Sequence, residues 1–319
     1  MITLGRRLSS SSKRARFNPH STLIYGTLIL AKDKKNPDEK VNWFAEFRGL
    51  SLMLLAVFIF HSLVAKPFYI PSTSMMPSLY VGDRLVVSKY PYGWSWASVS
   101  FHIWPRGEWR IAPSTPEYGD IVIPVHPTRN EDYIKRVVAL PGDRLEVSGG
   151  QIVLNGEAIK REIIPPIQIP FDPELRCNGM PCLYAFERYR TRLDDGSPVF
   201  EVPAYRETLP NGATYLVIDH LTQSLDDFAE ITIPADHVFV MGDNRDHSAD
   251  SRASVDESGL GGPIPMANIG GRAEFITFSL DGSTGWSPVS WFTSLRPERA
   301  WTTLRPAIAE TSTVPASGS

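Results

Sequence analysis

The chain has 319 residues, a formal net charge of −3 and two cysteines, and Gly and Pro together fill 50 positions. Two cysteines exclude a scaffold built on many disulfides. The Gly and Pro content, with no long helical period beyond residue 66, excludes a helical bundle and predicts a mainly β protein of short strands and turns.

Charge is unevenly spread along the chain. Residues 1–48 hold ten Lys or Arg against four acids, a net of +6, whereas residues 67–319 carry −10. Between Arg48 and Lys66, Gly49–Ala65 has no charged side chain. At ~1.5 Å of rise per residue this segment covers about 26 Å of a hydrocarbon layer roughly 30 Å thick, and its flanking cations can snorkel to close the difference. A single transmembrane anchor at 49–66 is therefore predicted. Positive charge stays on the cytoplasmic side, so the basic tail at 1–48 is expected inside the cell and the rest outside it. A cleaved leader would have a much shorter basic start, which favours an uncleaved anchor. Leu23–Ala31 is too short to span, and His61 reads as an interface-proximal residue rather than a proton relay.

Six residues past the anchor begins Pro71-Ser72-Thr73-Ser74-Met75-Met76-Pro77-Ser78-Leu79-Tyr80-Val81-Gly82-Asp83. Candidate strands follow at Arg84–Tyr90, Gly119–His126, Tyr133–Leu140, Gln151–Leu154, Thr214–Ile218, Val238–Met241 and Arg272–Leu280, with Asn155-Gly156 as a type I′ hairpin signal. Tyr92–Tyr118 holds Trp94, Trp96, Trp104 and Trp109. Two readings of this stretch stay open: a surface laid into the outer leaflet, or core with scattered surface aromatics. Cys177 and Cys182 are separated by four residues, which fits neither the redox nor the zinc C-x-x-C spacing, and a local disulfide is favoured over free thiols.

A serine hydroxyl needs a neighbouring base to become a nucleophile. One candidate is Lys135, in the apolar strand of Asp132-Tyr133-Ile134-Lys135-Arg136-Val137-Val138. Strand alternation sends Lys135 and Arg136 to opposite faces, so only one of them is expected to enter a dry core beside Ser74. Dryness matters because a solvated lysine is only about 0.04% neutral at pH 7, and burial can lower its pKa by roughly 3 to 5 units. A histidine triad through His247 and Asp250 is a second possibility. The Ser10–Lys13 match to S-x-x-K lies in a Ser-rich tail and is discounted.

Four motifs in order behind the anchor, PSTSMMPSLYVGD, GDIVIPV, DYIKRVVALPGD and GDNRDHSADSR, resemble bacterial type I signal peptidase, the leader peptidase family. The resemblance runs from about Phe68 to Leu280. It implies Ser74 as nucleophile, Lys135 as general base, and an oxyanion hole from the Ser72 hydroxyl and the Ser74 amide. It further implies that Ser248 orients the lysine, that Asp250, Arg252 and Arg136 form a supporting ion-pair network, and that Asp243, Asn244 and Arg245 make the turn that holds the site. Two shallow pockets for small residues before the cut would be lined by Phe68, Ile70, Pro71, Ser72, Met75, Leu79, Asp132, Tyr133 and Ile134. No metal or cofactor is implied.

The expected architecture is a membrane-anchored catalytic β domain at 67–154 and 237–295, with a second β domain or large β insertion at 155–236 and a disordered tail at 296–319. The expected activity is endopeptidase removal of signal peptides after Ala-x-Ala at the bacterial inner membrane, with the catalytic domain periplasmic. Expected partners are preprotein signal peptides, the lipid bilayer and the export machinery, and no nucleic acid. Two alternatives are an inactive anchored paralogue that binds exported chains and a self-cleaving Ser-Lys protease of the repressor type. The anchor, the lack of a DNA-binding head and the presence of both Ser74 and Lys135 argue against them.

Overall fold

The computed structural model describes residues 42–177 and 179–309. The basic tail as far as residue 41 and the last ten residues lie outside the described residues.

Helix α1 spans Trp43–Leu63 and is the one described helix long and apolar enough to cross a membrane. Its side chains from Leu50 to Leu63 are mostly exposed. It starts before the predicted anchor and stops short of Lys66, because residues 65–69 are taken into the β-sheet.

The strands of the largest sheet are β1 (Ala65–Tyr69), β2 (Asp83–Ser88), β3 (Ile121–Pro124), β4 (Lys135–Ala139), β5 (His237–Met241), β6 (Ile264–Pro265) and β7 (Ile269–Ser279). They lie in the order β1-β2-β7-β3-β4-β5-β6, with antiparallel neighbours throughout. One face packs Ile70, Met75, Leu79, Leu85, Ile121, Ile134 and Ile276 together. The other packs Tyr92, Val122, Val137, Val240 and Ile269. All five residues of β4 are buried, as befits a strand covered on both faces.

Residues 155–236 are not a separate domain. Lys160–Pro170 and Pro198–Thr208 form a long antiparallel pair whose register shifts between Ile164 and Ile167, where Pro165 and Pro166 have no N–H to give the ladder. Ala213–Val217 extends this sheet. Its Leu209, Tyr215 and Val217 share one core with Val138, Phe239 and Met241 of the larger sheet, and the chain from Gly49 onward forms one compact unit. The Gln151–Leu154 hairpin turns at Asn155 and Gly156, with φ of +56° and +87°, the two left-handed positions that a type I′ turn requires.

The tail expected to be disordered is packed as far as Ala309. Arg299 binds Asp83 through Nε at 2.9 Å and Nη2 at 2.6 Å, Arg296 reaches Asp172 at 3.0 Å, and Arg305 reaches Glu274 at 3.1 Å. Ala307–Ile308 adds a short strand beside Ala213–Thr214. Cys177 and Cys182 are joined in a disulfide.

A buried pair that sequence inspection does not reveal joins the two sheets. Arg245 and Glu207, 1% and 0% exposed, form a two-pronged ion pair, and Tyr215 donates to the same carboxylate at 3.0 Å. Removing one partner strands the other charge in a dry core. Arg245→Met is expected to cost about 3–5 kcal/mol in denaturant unfolding of the detergent-solubilised chain. The double change with Glu207→Leu should recover part of that loss, and no recovery would argue against the pair as the cause.

Candidate active site

Ser74 sits where the run after β1 is pinned on both flanks. Met75 is buried in the core beneath the large sheet, while the side chain of Met76 enters a different core with Ile169, Phe186 and Phe200 of the insertion. The backbone closes into a turn through Met76 N–H to Thr73 O at 3.0 Å and Leu79 N–H to Met75 O at 2.9 Å. From above, Asn244 N–H donates to Ser74 O at 3.1 Å and Asn244 Nδ2 to Thr73 O at 3.2 Å. The serine is therefore held at both its side-chain neighbours and its carbonyl, and it is only 7% exposed.

Lys135 opens β4 and places Nζ 3.0 Å from Ser74 Oγ, with a second hydrogen bond to Ile134 O at 2.9 Å. Burial lowers its pKa to about 8, although the carboxylates of Asp250 and Asp243 push it back up. The Tyr133 ring stands 5.5 Å from Nζ. Ser72 Oγ is 3.3 Å from Ser74 Oγ.

Both Lys135 and Arg136 are dry, at 4% and 3% exposure, and of the two only Lys135 is hydrogen-bonded to Ser74. They occupy opposite faces, and each face is enclosed. Arg136 is matched by Asp243, at 2.8 Å from Nε and 2.6 Å from Nη2. It also donates to Gly119 O at 2.7 Å and Ser78 Oγ at 3.1 Å, and it lies over the Tyr215 ring. Because Arg136 keeps its charge in a carboxylate's grip, it leaves the proton-exchange role to its neighbour.

Asp250 and Arg252 form a second bidentate pair, with both N–O distances 3.0 Å, and Asp250 also accepts from Gly242 N–H at 3.0 Å. The supporting network is thus two separate pairs flanking Gly242–Asp243. With its oxygens spent on Arg252 and Gly242, Asp250 is not free to orient His247, whose ring lies edge-on to Phe186. Ser248 departs from expectation. Its hydroxyl is buried and has no hydrogen-bond partner among the described residues, Lys135 included. It packs so close to Gly242 that a Cβ there would stand 2.2 Å from Ser248 Oγ and 2.5 Å from Ser74 O, which leaves room only for glycine.

The proposed pocket residues divide. Ile70, Met75, Leu79 and Ile134 lie buried in one core with Phe68 against it. Tyr133 packs on the opposite cluster and ties its hydroxyl to Arg129 at 2.7 Å and Ser258 O at 2.9 Å. Pro71 is exposed, with its carbonyl 3.3 Å from Cys177 Sγ. The Asp132 carboxylate faces His102 at 3.1 Å and Lys66 at 3.7 Å. Burial pushes its pKa up, but the hydrogen bond from His102 and the nearby Lys66 and Lys89 outweigh that and hold it below the ordinary value.

Sequence reasoning overlooked Lys89, which is 3% exposed and whose pKa burial lowers to about 8. Its strand setting beside Ser88 and Tyr90 carries no distinguishing signal. The turn expected at Asp243, Asn244 and Arg245 holds Ser74 through the two hydrogen bonds from Asn244. The Trp-rich stretch divides between buried and exposed side chains. Trp96 is buried with Ala97 and Val125, whereas Phe101, Ile103 and Trp104 are 80%, 67% and 54% exposed. Among the described residues no cluster of three or more His, Cys, Asp or Glu is placed to hold a metal ion.

Comparison with known proteins gives consistent matches. The family model for signal peptidase, peptidase S26, matches residues 43–278. A signal peptidase I of Buchnera aphidicola is 28% identical over 306 residues, covering 89% of this chain and 88% of that one. A signal peptidase I of Rickettsia bellii is 31% identical over 250 residues, 73% of each chain. One of Pseudomonas aeruginosa is 30% identical over 233 residues, covering 71% of this chain and 69% of the relative. A crystal structure of a signal peptidase I from Enterococcus faecalis aligns with a TM-score of 0.25 at 19% identity, covering 50% of this chain and 97% of that one.

A dry lysine carries a stability cost with a definite pH signature. The amine titrates near 10.5 as a free group and about 8 when folded. Between those values the unfolded chain binds more protons, so native stability rises with pH across this window, and the full cost is present below it. Lys135→Met is therefore expected to melt above the native chain at about pH 6, with the difference shrinking toward about pH 10. A pH-independent difference would show that the amine is not desolvated.

Proposed function

Because the chain belongs to the signal peptidase family, peptidase S26, we propose that Ser74 and Lys135 carry its reaction as nucleophile and general base. The chain is a serine endopeptidase that removes signal peptides. The observation that supports this assignment is the 3.0 Å separation of Lys135 Nζ from Ser74 Oγ in a place where the amine is stripped of water.

With its pKa near 8, about a tenth of Lys135 is neutral at pH 7, against about 0.04% for a solvated lysine. Neutral Nζ takes the Ser74 proton while Oγ attacks the scissile carbonyl carbon. The carbonyl oxygen becomes an oxyanion, bound by the Ser74 amide and by Ser72 once its hydroxyl turns from Ser74 toward the substrate. The tetrahedral adduct collapses by breaking the C–N bond, and the Lys135 ammonium protonates the departing amine. Lys135 then draws a proton from water, whose oxygen attacks the acyl-serine ester and frees the enzyme.

Cleavage after Ala-x-Ala is proposed from the family likeness, with small side chains received against the apolar cluster of Ile70, Met75, Leu79 and Ile134, which has Phe68 at its edge. Asp250 with Arg252 and Arg136 with Asp243 act as supports that keep the turn at Gly242–Asn244 against Ser74. Ser248, whose hydroxyl has no hydrogen-bond partner among the described residues, is proposed to orient Lys135.

Helix α1 fits a membrane anchor. The proposed topology follows the charge asymmetry, with the basic tail in the cytoplasm, residues 67–309 in the periplasm, and the inner membrane between them. The exposed Phe101, Ile103 and Trp104 would then enter the outer leaflet near the end of α1. The bilayer and the export machinery are the proposed partners besides the signal peptide.

Ser74→Ala is expected to reduce preprotein cleavage by about 10⁶-fold, and Lys135→Ala by at least roughly 10²–10⁴-fold. Lys135→Arg should also be inactive, since guanidinium cannot serve as a base. Both inactive variants should fold. Cleavage that survives Lys135→Ala and disappears in His247→Ala would overturn the assignment in favour of a histidine triad. The rate for the native chain should rise with pH along a limb centred near pH 8, the point at which Lys135 loses its proton. A limb near pH 6.5 would instead point to an imidazole.

A further inference from the structure

The Trp-rich stretch ties the end of α1 to the loop that leads into the catalytic lysine. Trp94–Ser95 pairs with Arg110–Ile111, and the residues between form a strap. At one end, Trp94 Nε1–H donates to Leu63 O at 2.8 Å, and Ser100 N–H donates to Ser62 Oγ at 3.1 Å. Leu63 O belongs to the last turn of α1, where carbonyls have no partner within the helix. At the other end, the Arg106 guanidinium donates to His126 O at 3.1 Å, Arg129 O at 2.7 Å and Asn130 Oδ1 at 3.0 Å, and also to Pro127 O. Arg106 is stacked 4.8 Å from the ring of buried Trp96, and His102 Nε2 meets Asp132 Oδ1 at 3.1 Å.

The loop so gripped, from His126 to Asp132, joins β3 to β4 and delivers Tyr133, Ile134 and Lys135. Among the described residues, no hydrogen bond or ion pair other than the strap's joins α1 to the rest of the domain, and the remaining link is the chain itself. That link passes through Val64 into β1, the edge strand of its sheet. A single covalent connection of this kind leaves the domain free to tilt about the end of the helix. Attachments at Leu63, Ser62, the 126–130 loop and Asp132 remove that freedom. The strap tip is also held in an unusual backbone: Phe101 and His102 have φ of +62° and +47°, a left-handed conformation that non-glycine residues keep only when their surroundings enforce it.

We infer that Trp94 and Arg106 determine specificity by fixing the height of the Ser74–Lys135 cleft above the end of α1. They thereby select which peptide bond of a membrane-inserted signal peptide is cut. The inference rests on the function proposed above. In that setting the substrate's apolar core lies in the same bilayer as α1, so the distance from bilayer to cleft becomes a distance along the substrate. An extended chain advances ~3.3 Å per residue, so a rigid strap would discriminate between neighbouring candidate sites and a loose one would not. Arg106 and Trp94 are positioning residues that touch neither substrate nor reacting atoms.

The test uses the full chain in phosphatidylethanolamine–phosphatidylglycerol vesicles, with preproteins in which one Ala-x-Ala motif is moved by successive inserts away from the apolar core. A short soluble peptide carrying the same motif is the reference substrate. Arg106→Ala and Trp94→Phe are compared, the second removing only the indole N–H. The native chain should cut a narrow band of spacings. Both variants should broaden that band, with about a tenfold loss of kcat/KM at the best spacing, equivalent to about one hydrogen bond, and less than about a twofold change on the soluble peptide. An unchanged spacing profile in both variants, or equal losses on both substrates, would overturn the inference. Ser74→Ala run in parallel separates the two readings: if it still cuts, the dyad assignment fails, whatever the spacing profile shows.

Discussion

The site depends on keeping one amine dry. A lysine can take a proton from serine near neutral pH only if the interior makes its charge unwelcome, and the carboxylates that help build the pocket work against this. Asp250 and Asp243 both favour the charged form of Lys135. Each is tied to its own guanidinium, Asp250 to Arg252 and Asp243 to Arg136. Their negative charge is thereby largely compensated at short range, which leaves burial as the dominant influence on the lysine. The ion pairs that look like structural padding in the GDNRDHSADSR run thus keep two buried acids from undoing the base proposed here.

Much of the site could be read from sequence because its motifs are short and their residue types are chemically constrained. The dyad spacing of 61 residues, the apolar strand around Lys135 and the Gly242–Asn244 turn all match what the folded chain brings together. The misreadings have a common cause. Alternation along β4 separates Lys135 from Arg136 but does not show that two layers of core enclose the strand, nor that a partner 107 residues away, Asp243, makes Arg136 tolerable there. The Arg245–Glu207 pair, buried Lys89 and the orphaned Ser248 hydroxyl likewise depend on contacts across long stretches of chain that local patterns do not encode.

Element boundaries show the same division. The Asn155-Gly156 hairpin was legible because its turn needs two left-handed residues in sequence. The strand at 160–170 escaped notice because Pro165 and Pro166 lie in its middle and read as a break, when they mark a bulge in an otherwise continuous pair. The start of β1 directly after α1 was hidden for a different reason. Ala65–Tyr69 has no strong alternation of its own and becomes a strand because β2 offers it hydrogen-bonding partners. The C-terminal residues were misjudged from their Pro and Ser content, although three arginines there find buried or half-buried acids.

Met75 and Met76 are adjacent, yet their side chains belong to different cores, one beneath the large sheet and one inside the insertion. The nucleophile is thus bracketed by a seam between two packing regions. A family member cannot exchange its insertion as a freely replaceable module, because the new one must present a socket for a methionine two residues beyond the reacting hydroxyl. A small molecule that wedged apart Ile169, Leu183 and Phe186 would displace Met76 and so disturb Ser74 through the backbone between them.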